Sequence, residues 1–487
     1  MKIAAFSAAL LAGLVSSSTL LAQPWERSYG VKDQIDEGHR RVTPVTQCPG
    51  GGYISIGSRD LGNVSLVYVI RTDNAGGTIW EQFYDVGADG RPDEGFALTE
   101  LKDGGWVTTG TSNRGHRWEA HAMQLDCNGR VNWSYFYYLP SLPPLVGYRL
   151  VGHDIRELYT GDGITTNALD LAIAGYIVDQ NNQTDAVLLR LDQFGNLIWH
   201  RRYDLGRNET FFGLTELRPT FSHAGEIAVV GEFNDGFRHQ ALAARIDGVT
   251  GAFGGGPDQG MALYGESGDE YFHSVVETQT WPDTGLLTFA GFSSSPGLND
   301  DVYVVQSKPH PCGGLVQVTM GNETGDPFGE RALDLIEVLE PTGIVPVGSF
   351  ALTGAAETKY SRSDAFLLFL RQSSLYPLAA FRYGDHGRYI DFGTSLAQNS
   401  TFGPQGPGFI IAGTTESDWD GSGDPSDLYL VQTTDTGKTG CEKEWFPEPK
   451  YWDWAVKCPL PHVTKFLRQI EVRTEVGRDD TAVRACN

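Results

Sequence analysis

Basic residues are scarce in this 487-residue chain, with 37 lysines and arginines against 61 aspartates and glutamates and a formal net charge of -24. That balance excludes the usual nucleic-acid binder and argues against an anionic membrane surface, while suiting cations or a basic partner. Long apolar runs are also lacking. Beyond the first two dozen residues nothing approaches the ~20 apolar residues of a membrane-spanning helix, and no amphipathic run is long enough to build a helical domain. The 6 cysteines include no C-x-x-C pair, so no zinc pattern is present and disulfides are the default. There is no G-x-S-x-G, no H-E-x-x-H and no G-x-x-x-x-G-K-[ST], and the 11 histidines are scattered. The common hydrolase and phosphate-binding signatures are therefore missing, although an enzyme could assemble its site from distant segments.

Glycine, proline and aromatics are plentiful, with 60 glycines and 24 prolines, which suits short strands and many turns. Residues 1–22 have the layout of a secretory signal peptide: Lys2, an apolar run from Ile3 to Val15, then Ser16 to Ser18 and Leu20-Leu21-Ala22 ahead of Gln23. With no cysteine at the cleavage point to take a lipid, the expectation is unanchored export, to the periplasm, the cell surface or the medium. In that setting Cys48, Cys127, Cys312 and Cys441 fall in expected turns and Cys458 and Cys486 near the end. Their pairing stays open.

The chain repeats itself. Its cleanest unit is Thr184 to Trp199, TDAVLLRLDQFGNLIW: an alternating strand, a tight turn and a returning strand. Related returning strands begin at Trp25, Trp80, Trp133 and Trp199, with weaker copies at Met261, Val316 and Phe381. Short apolar strands ending in Gly57, Gly110, Gly175, Gly231, Gly291, Gly348 and Gly413 recur, each followed by an alternating strand and preceded by a further apolar stretch. Four short strands per period mark the blade of a β-propeller. The expected architecture is all-β: a seven-bladed β-propeller of four-stranded blades over 23–446, with a short C-terminal extension or tail over 447–487. Because one returning strand is surplus, the segment from Trp25 is expected to complete the last blade.

Three stretches, Gly51 to Gly57 (GGYISIG), Asp185 to Asp192 (DAVLLRLD) and Gly195 to Tyr203 (GNLIWHRRY), resemble the secreted bacterial β-propeller repeats called SBBP-type. That resemblance covers roughly residues 25 to 446 and implies an exported binding or scaffold module. It brings no catalytic residues with it. The D-x-x-G-x-x-x-W runs at Asp73, Asp126 and Asp192 are also similar to the tryptophan-docking motif of quinoprotein dehydrogenase propellers, which supports tryptophans packed between blades.

Three groups of residues are candidates for chemistry. Asp418, Asp420, Ser422 and Asp424, with a glycine at 421, match the first half of a calcium loop; the twelfth position is Tyr429 in place of a bidentate glutamate, and Asp427 would have to compensate. Its alternative is a plain solvated loop. Glu100, Glu157, Glu216, Glu277 and Glu337 recur every 57 to 61 residues at the end of the innermost strand, either as acids lining the channel or as glutamates fixed structurally at a turn. Exposed aromatics such as Trp118, Trp281 and Trp419 could stack on sugar rings, but only a cluster would carry weight. The expected function is that of an exported, non-catalytic binding or scaffold protein. A protein or polysaccharide would dock on the loop face, on loops such as Ser349 to Ser363 and Thr414 to Ser426. A polysaccharide lyase or glycosidase, or a structural envelope component, is the alternative, and calcium is the only cofactor suggested.

Overall fold

The computed structural model describes residues 24–29, 35–61, 64–115, 117–138, 148–158, 169–218, 225–254, 260–265, 268–294, 300–308, 311, 314–321, 329–357, 363–384, 390–399, 408–416, 426–444, 447–452 and 482–485. Among them there is no helix. The chain opens with β1 (Trp25–Tyr29) and continues as antiparallel meanders of four: β2 (Ile35–Pro44), β3 (Tyr53–Asp60), β4 (Ser65–Thr72) and β5 (Thr78–Asp85); then β6 (Asp93–Glu100), β7 (Trp106–Asn113), β8 (Trp118–Leu125) and β9 (Val131–Tyr137); then β10 (Arg149–Leu158), β11 (Asp170–Val178), β12 (Thr184–Leu191) and β13 (Leu197–Tyr203). Next come β14 (Asn208–Glu216), β15 (Glu226–Asn234), β16 (His239–Asp247) and β17 (Met261–Tyr264); β18 (Asp269–Glu277), β19 (Leu287–Ser294), β20 (Asp301–Ser307) and β21 (Gly314–Gly321); β22 (Glu330–Glu337), β23 (Phe350–Ala356), β24 (Asp364–Leu370) and β25 (Pro377–Tyr383). The last meander, β26 (Asp391–Asn399), β27 (Gly408–Thr415) and β28 (Asp427–Gln432), has three strands of its own.

Its fourth strand is β1, paired antiparallel with β28 from Trp25↔Gln432 to Tyr29↔Leu428. The N-terminal strand thus completes the final meander. The hydrogen-bonded ladders form six sheets, because β8 and β10 share a single parallel pair, Arg149↔Trp118, that joins two meanders into one eight-stranded sheet. Three short C-terminal strands add edges: β29 (Lys443–Glu444) on β25, β30 (Glu448–Trp452) on β21 and β31 (Ala482–Ala485) on β5.

The first strands of the meanders touch in succession, β2 to β6, β10, β14, β18, β22 and β26, and β26 lies against β2. Apolar layers fill the spaces between neighbouring meanders. Ile56, Val69, Trp106 and Met123 form one layer, while Tyr53 and Tyr68 pack with Ile410 and Leu430 where the last set meets the first. Each fully buried side chain of this size stabilises the fold by about 1.5–3 kcal/mol. Both faces of the second and third strands are apolar, as the burial of every residue from Leu66 to Ile70 shows.

The repeated motif has a visible physical purpose. Asp73 Oδ1 accepts the Ala75 and Gly77 amides, and Asp126 and Asp192 do the same in their own turns. Gly76, Gly129 and Gly195 hold φ near +80° there, where a side chain would be strained. Their carbonyls are then docking points. Tyr29, Tyr84 and Tyr137 donate their hydroxyls to Gly76, Gly129 and Gly195 of the following meander at 2.6, 2.6 and 2.8 Å. The indoles of Trp25 and Trp80 donate to Asn74 and Cys127 in the first two of those turns, and that of Trp199 to Gly248 in the turn after β16. Cys48 and Cys127 form a disulfide joining the first two meanders. Cys312, Cys458 and Cys486 lie outside the described residues.

One landmark is corrected. Gly348 sits in a turn with φ +88°, and the glycine equivalent to Gly110 is Gly354 inside β23, opposite Ala332. Within the expected loop Ser349 to Ser363, Phe350–Ala356 is therefore strand. A run of small residues, FALTGAA, hid a strand whose partners bury it on both faces.

Candidate functional site

Every innermost strand carries a β-bulge at the same place, between Glu37 and Arg41, Gly95 and Ala97, Gly152 and Asp154, Phe211 and Gly213, Phe272 and Ser274, Ala332 and Asp334, and Gly393 and Ser395. A bulge re-aims the side chain at the extra residue. Here those residues include Arg40, Phe96, His153, Phe212, His273, Leu333 and Thr394, and all of them line one cavity of about 500 Å³ in the channel. Thr414 near the end of β27, and Glu416 and Ser426 from the β27–β28 connection, also line it, so the cavity lies on the side of the second-to-third-strand loops.

The collar is a continuous stack. Arg40 Cζ lies 3.9 Å from the Phe96 centroid. From there the ring centroids run Phe96–His153 at 5.7 Å, His153–Phe212 at 5.1 Å and Phe212–His273 at 4.9 Å with planes 16° apart. The stack continues outward through Phe292, Tyr271 and His239 at 5.7, 4.6 and 5.0 Å. Arg331 covers Phe292 at 5.1 Å, and Glu232 ends the row against His239 Nδ1 at 2.5 Å. Aromatic pairs of this kind contribute about 0.5–1.5 kcal/mol each beyond burial, so the row is a preformed platform.

The two collar histidines are neutral at pH 7. Burial, reinforced by the charge of Arg40, pushes His153 down to about 3, and burial with the charge of Arg331 pushes His273 down to about 4. His153 Nδ1 therefore carries a proton and donates it to the Phe212 carbonyl at 2.8 Å. His153 and His273 therefore stay uncharged, with Arg40 and Arg331 beside the row.

Two carboxylates, Asp154 and Asp334, face the same cavity. Asp334 accepts from Ser274 Oγ and Leu335 N on one oxygen and from Ser395 Oγ and Leu396 N on the other, while Arg41 lies 3.7 Å away. Asp154 accepts from Ile155 N and Leu214 N and has Arg156 at 3.6 Å. Burial raises its carboxyl, Arg41 opposes that shift and Asp334 adds to it. Both acids tie neighbouring innermost strands together, and with their oxygens occupied they are poorly placed to exchange protons with a substrate.

At the other end of the channel a cavity of about 540 Å³ is lined by Glu157, Glu216, Glu277 and Glu337 among others. The glutamates reach backward to the preceding meander. Glu100 accepts from Thr46 N and Gln47 N, Glu157 from Lys102 N, Glu277 from Arg218 N, and Glu337 from Gln279 N and Thr280 N. Gln398 occupies the equivalent place in β26, accepting from Leu339 N and Glu340 N. Burial raises the carboxyls of Glu157, to about 7, and of Glu277 and Glu337. The amides they accept pull the other way.

Asp418, Trp419, Asp420, Ser422 and Asp424 lie outside the described residues. Asp427 is the first residue of β28 and is buried. Trp118 is not in a loop: it begins β8, half-buried, with Arg149 Cζ 5.0 Å from its ring. The collar leaves only a weak trace in the sequence. Phe96, His153, Phe212, His273 and Leu333 each stand four residues before a repeating glutamate, but their mixed identities conceal the common position.

No protein-family model matches the chain, and no curated protein matches it in sequence. Among solved structures, Chaetomium thermophilum Sqt1 bound to the N-terminus of ribosomal protein L10 is 11% identical with a TM-score of 0.40, the match covering 83% of this chain and 100% of that one. Extracellular domains 1-2 of Drosophila semaphorin 1b are 9% identical, with a TM-score of 0.42 and coverage of 84% and 87%. The parainfluenza virus 5 hemagglutinin-neuraminidase ectodomain is 11% identical, with a TM-score of 0.40 and 84% of each chain covered. All three are β-propeller proteins, and similarity this low transfers no ligand or chemistry to this chain.

Proposed function

We propose that this chain is an exported seven-bladed β-propeller of the SBBP type that binds an acidic polysaccharide at the channel mouth without catalysing a reaction. One observation carries the reading: the aromatic row that starts at the buried Phe96 and runs half-exposed from His153 to His239, edged by Arg40 and Arg331 and backed by a cavity of about 500 Å³. Sugar rings present apolar C–H faces that stack on such a row; against the acidic surface as a whole, the Arg40 guanidinium at its inner edge suits the carboxylate of a uronic acid, while Arg331 is already paired with Asp300. The succession of innermost strands from β2 to β26 and back supports the blade count. Export rests on the layout of residues 1–22 and agrees with the Cys48–Cys127 bridge.

A glycosidase or lyase would need two carboxyls free to trade protons, and the channel acids are bound to backbone amides. The experiment is a titration of residues 23–487 with a panel of neutral and uronic-acid oligosaccharides, with calcium and with a chelator, while the same mixtures are assayed for cleavage. Saturable binding of uronates without product supports the proposal. Product formation, or binding confined to peptides, contradicts it.

A further inference from the structure

A carboxylate triad lies away from the channel, where β13 hands over to β14. Asp185 and Asp204 sit side by side at the open end of the β12–β13 hairpin, just past the pair Ala186↔Tyr203, and Glu209 comes from β14 of the next meander. One oxygen of each lies within 4.8 Å of the others. Oxygens sharing one calcium ion at 2.3–2.6 Å are at most about 5 Å apart, so the spacing fits a hard divalent cation.

A second observation points to a ligand there. Glu209 is 0% exposed, and its Oε2 has no hydrogen-bond partner, while Oε1 accepts the Arg207 amide at 3.2 Å. A buried carboxylate oxygen left without a partner is expensive. Among the described residues, Arg202 is the cation held at the cluster, paired with Asp185. Without an ion, burial and the neighbouring acids raise Glu209 to about 8 and Asp185 to about 6. A bound divalent ion would displace the Glu209 proton, and the three ionised carboxylates with one guanidinium would then carry the two negative charges it balances.

The repeat shows why this junction differs from its equivalents. Acid pairs recur at the corresponding positions, as in Asp301 with Glu330 and Asp364 with Asp391. In those places the residue matching Asp204 is glycine. A Cβ at Gly321 would lie 2.3 Å from Asp301 Oδ1, and one at Gly384 2.1 Å from Asp391 Oδ2. After β17 the matching residue is Gly265, with Glu270 against it. Among the described residues only the β13–β14 junction gathers three carboxylates.

We infer that Asp185, Asp204 and Glu209 form an inter-blade site for calcium or a similar hard divalent cation. Such an ion would clamp the third meander to the fourth, with backbone carbonyls and water completing the 6–8 oxygens calcium takes. This site is independent of the channel-mouth proposal and of the Asp418–Asp424 loop.

The test is calorimetric titration of the full chain with calcium chloride, alongside thermal unfolding with and without calcium. Asp204→Gly installs the residue found at three equivalent junctions, so this variant is expected to fold; Glu209→Gln removes the buried charge, and Asp418→Asn with Asp420→Asn controls for the other loop. The wild type is expected to bind with a Kd of roughly 0.1–1 mM, the range of extracellular calcium modules, and to unfold at higher temperature with calcium. The loop control retains that binding, whereas Asp204→Gly and Glu209→Gln weaken it by about tenfold or more. Calcium binding unchanged in Asp204→Gly overturns the assignment. So does a wild type blind to calcium whose stability matches that of Glu209→Gln, the signature of a Glu209 that simply keeps a proton.

Discussion

Replacing Glu337 separates a staple between repeats from a ring of charge. Its carboxylate receives Gln279 N at 2.6 Å, Thr280 N at 3.0 Å and Thr280 Oγ1 at 2.6 Å, all from the turn after β18. Hydrogen bonds to a charged group contribute about 1.5–3 kcal/mol each, and a buried donor stripped of its acceptor costs about 1–3 kcal/mol. Against these stands the cost of burying the carboxylate, visible in its raised pKa. Glu337→Ala is therefore expected to destabilise by about 2–4 kcal/mol. Glu337→Gln should cost under about 1 kcal/mol, because Gln398 already performs the same task with a neutral amide, its Oε1 taking two backbone amides and its Nε2 donating to Glu340 O. Urea unfolding followed by tryptophan fluorescence measures both. A glutamine variant as damaged as the alanine one, or an alanine variant indistinguishable from wild type, would refute the staple.

Further predictions concern pH and the closing strand. Burial raises Asp93, Glu157 and Glu270 to about 7, so their contribution to stability is full below the ordinary carboxylate range and is lost as pH climbs through about 7. His121, His153 and His273 are depressed to about 3, 3 and 4, so theirs is full above pH ~6.5 and lost as pH falls. Between pH ~4.5 and ~6.5 the two trends oppose; above that only the carboxyls act, and the unfolding temperature should fall from pH 6.5 to 8, less steeply in Asp93→Asn. A rise over that interval would contradict the assignment. Deleting residues 1–30 removes β1 and bares the edge of β28, so light scattering after size exclusion should show association and a lowered unfolding temperature. A truncated chain that stays monomeric with unchanged stability would show that β1 does not close the set.

Much of the frame was legible in sequence because the repeat writes its contacts locally. The Asp–Gly turn, the tryptophan and the tyrosine lie within about a dozen residues of one another, and each docks on the next copy of the same turn. The surplus strand at Trp25 could be counted for the same reason. Gly348 and Gly354 both follow short runs of small and apolar residues, and only the pairing with Ala332 distinguishes them. The collar was hidden for a different reason. A bulge breaks the two-residue alternation from which strand faces are read, so the inward residues at Phe96, His153 and Phe212 cannot be placed by periodicity. The acid triad depends on β14 returning beside β12, a long-range juxtaposition that no local pattern encodes.

The central claim is that the aromatic row at the channel mouth binds an acidic glycan. Titration of residues 23–487 and of Phe212→Ala with an oligogalacturonate, a chain of uronic-acid rings, tests it most directly. Phe212 stacks between His153 and His273, and losing one stacking surface should weaken binding by roughly 0.5–1.5 kcal/mol, or about two- to tenfold, with the unfolded fraction unchanged by circular dichroism. Equal affinity in the two proteins, or no uronate binding by the wild type, would contradict it.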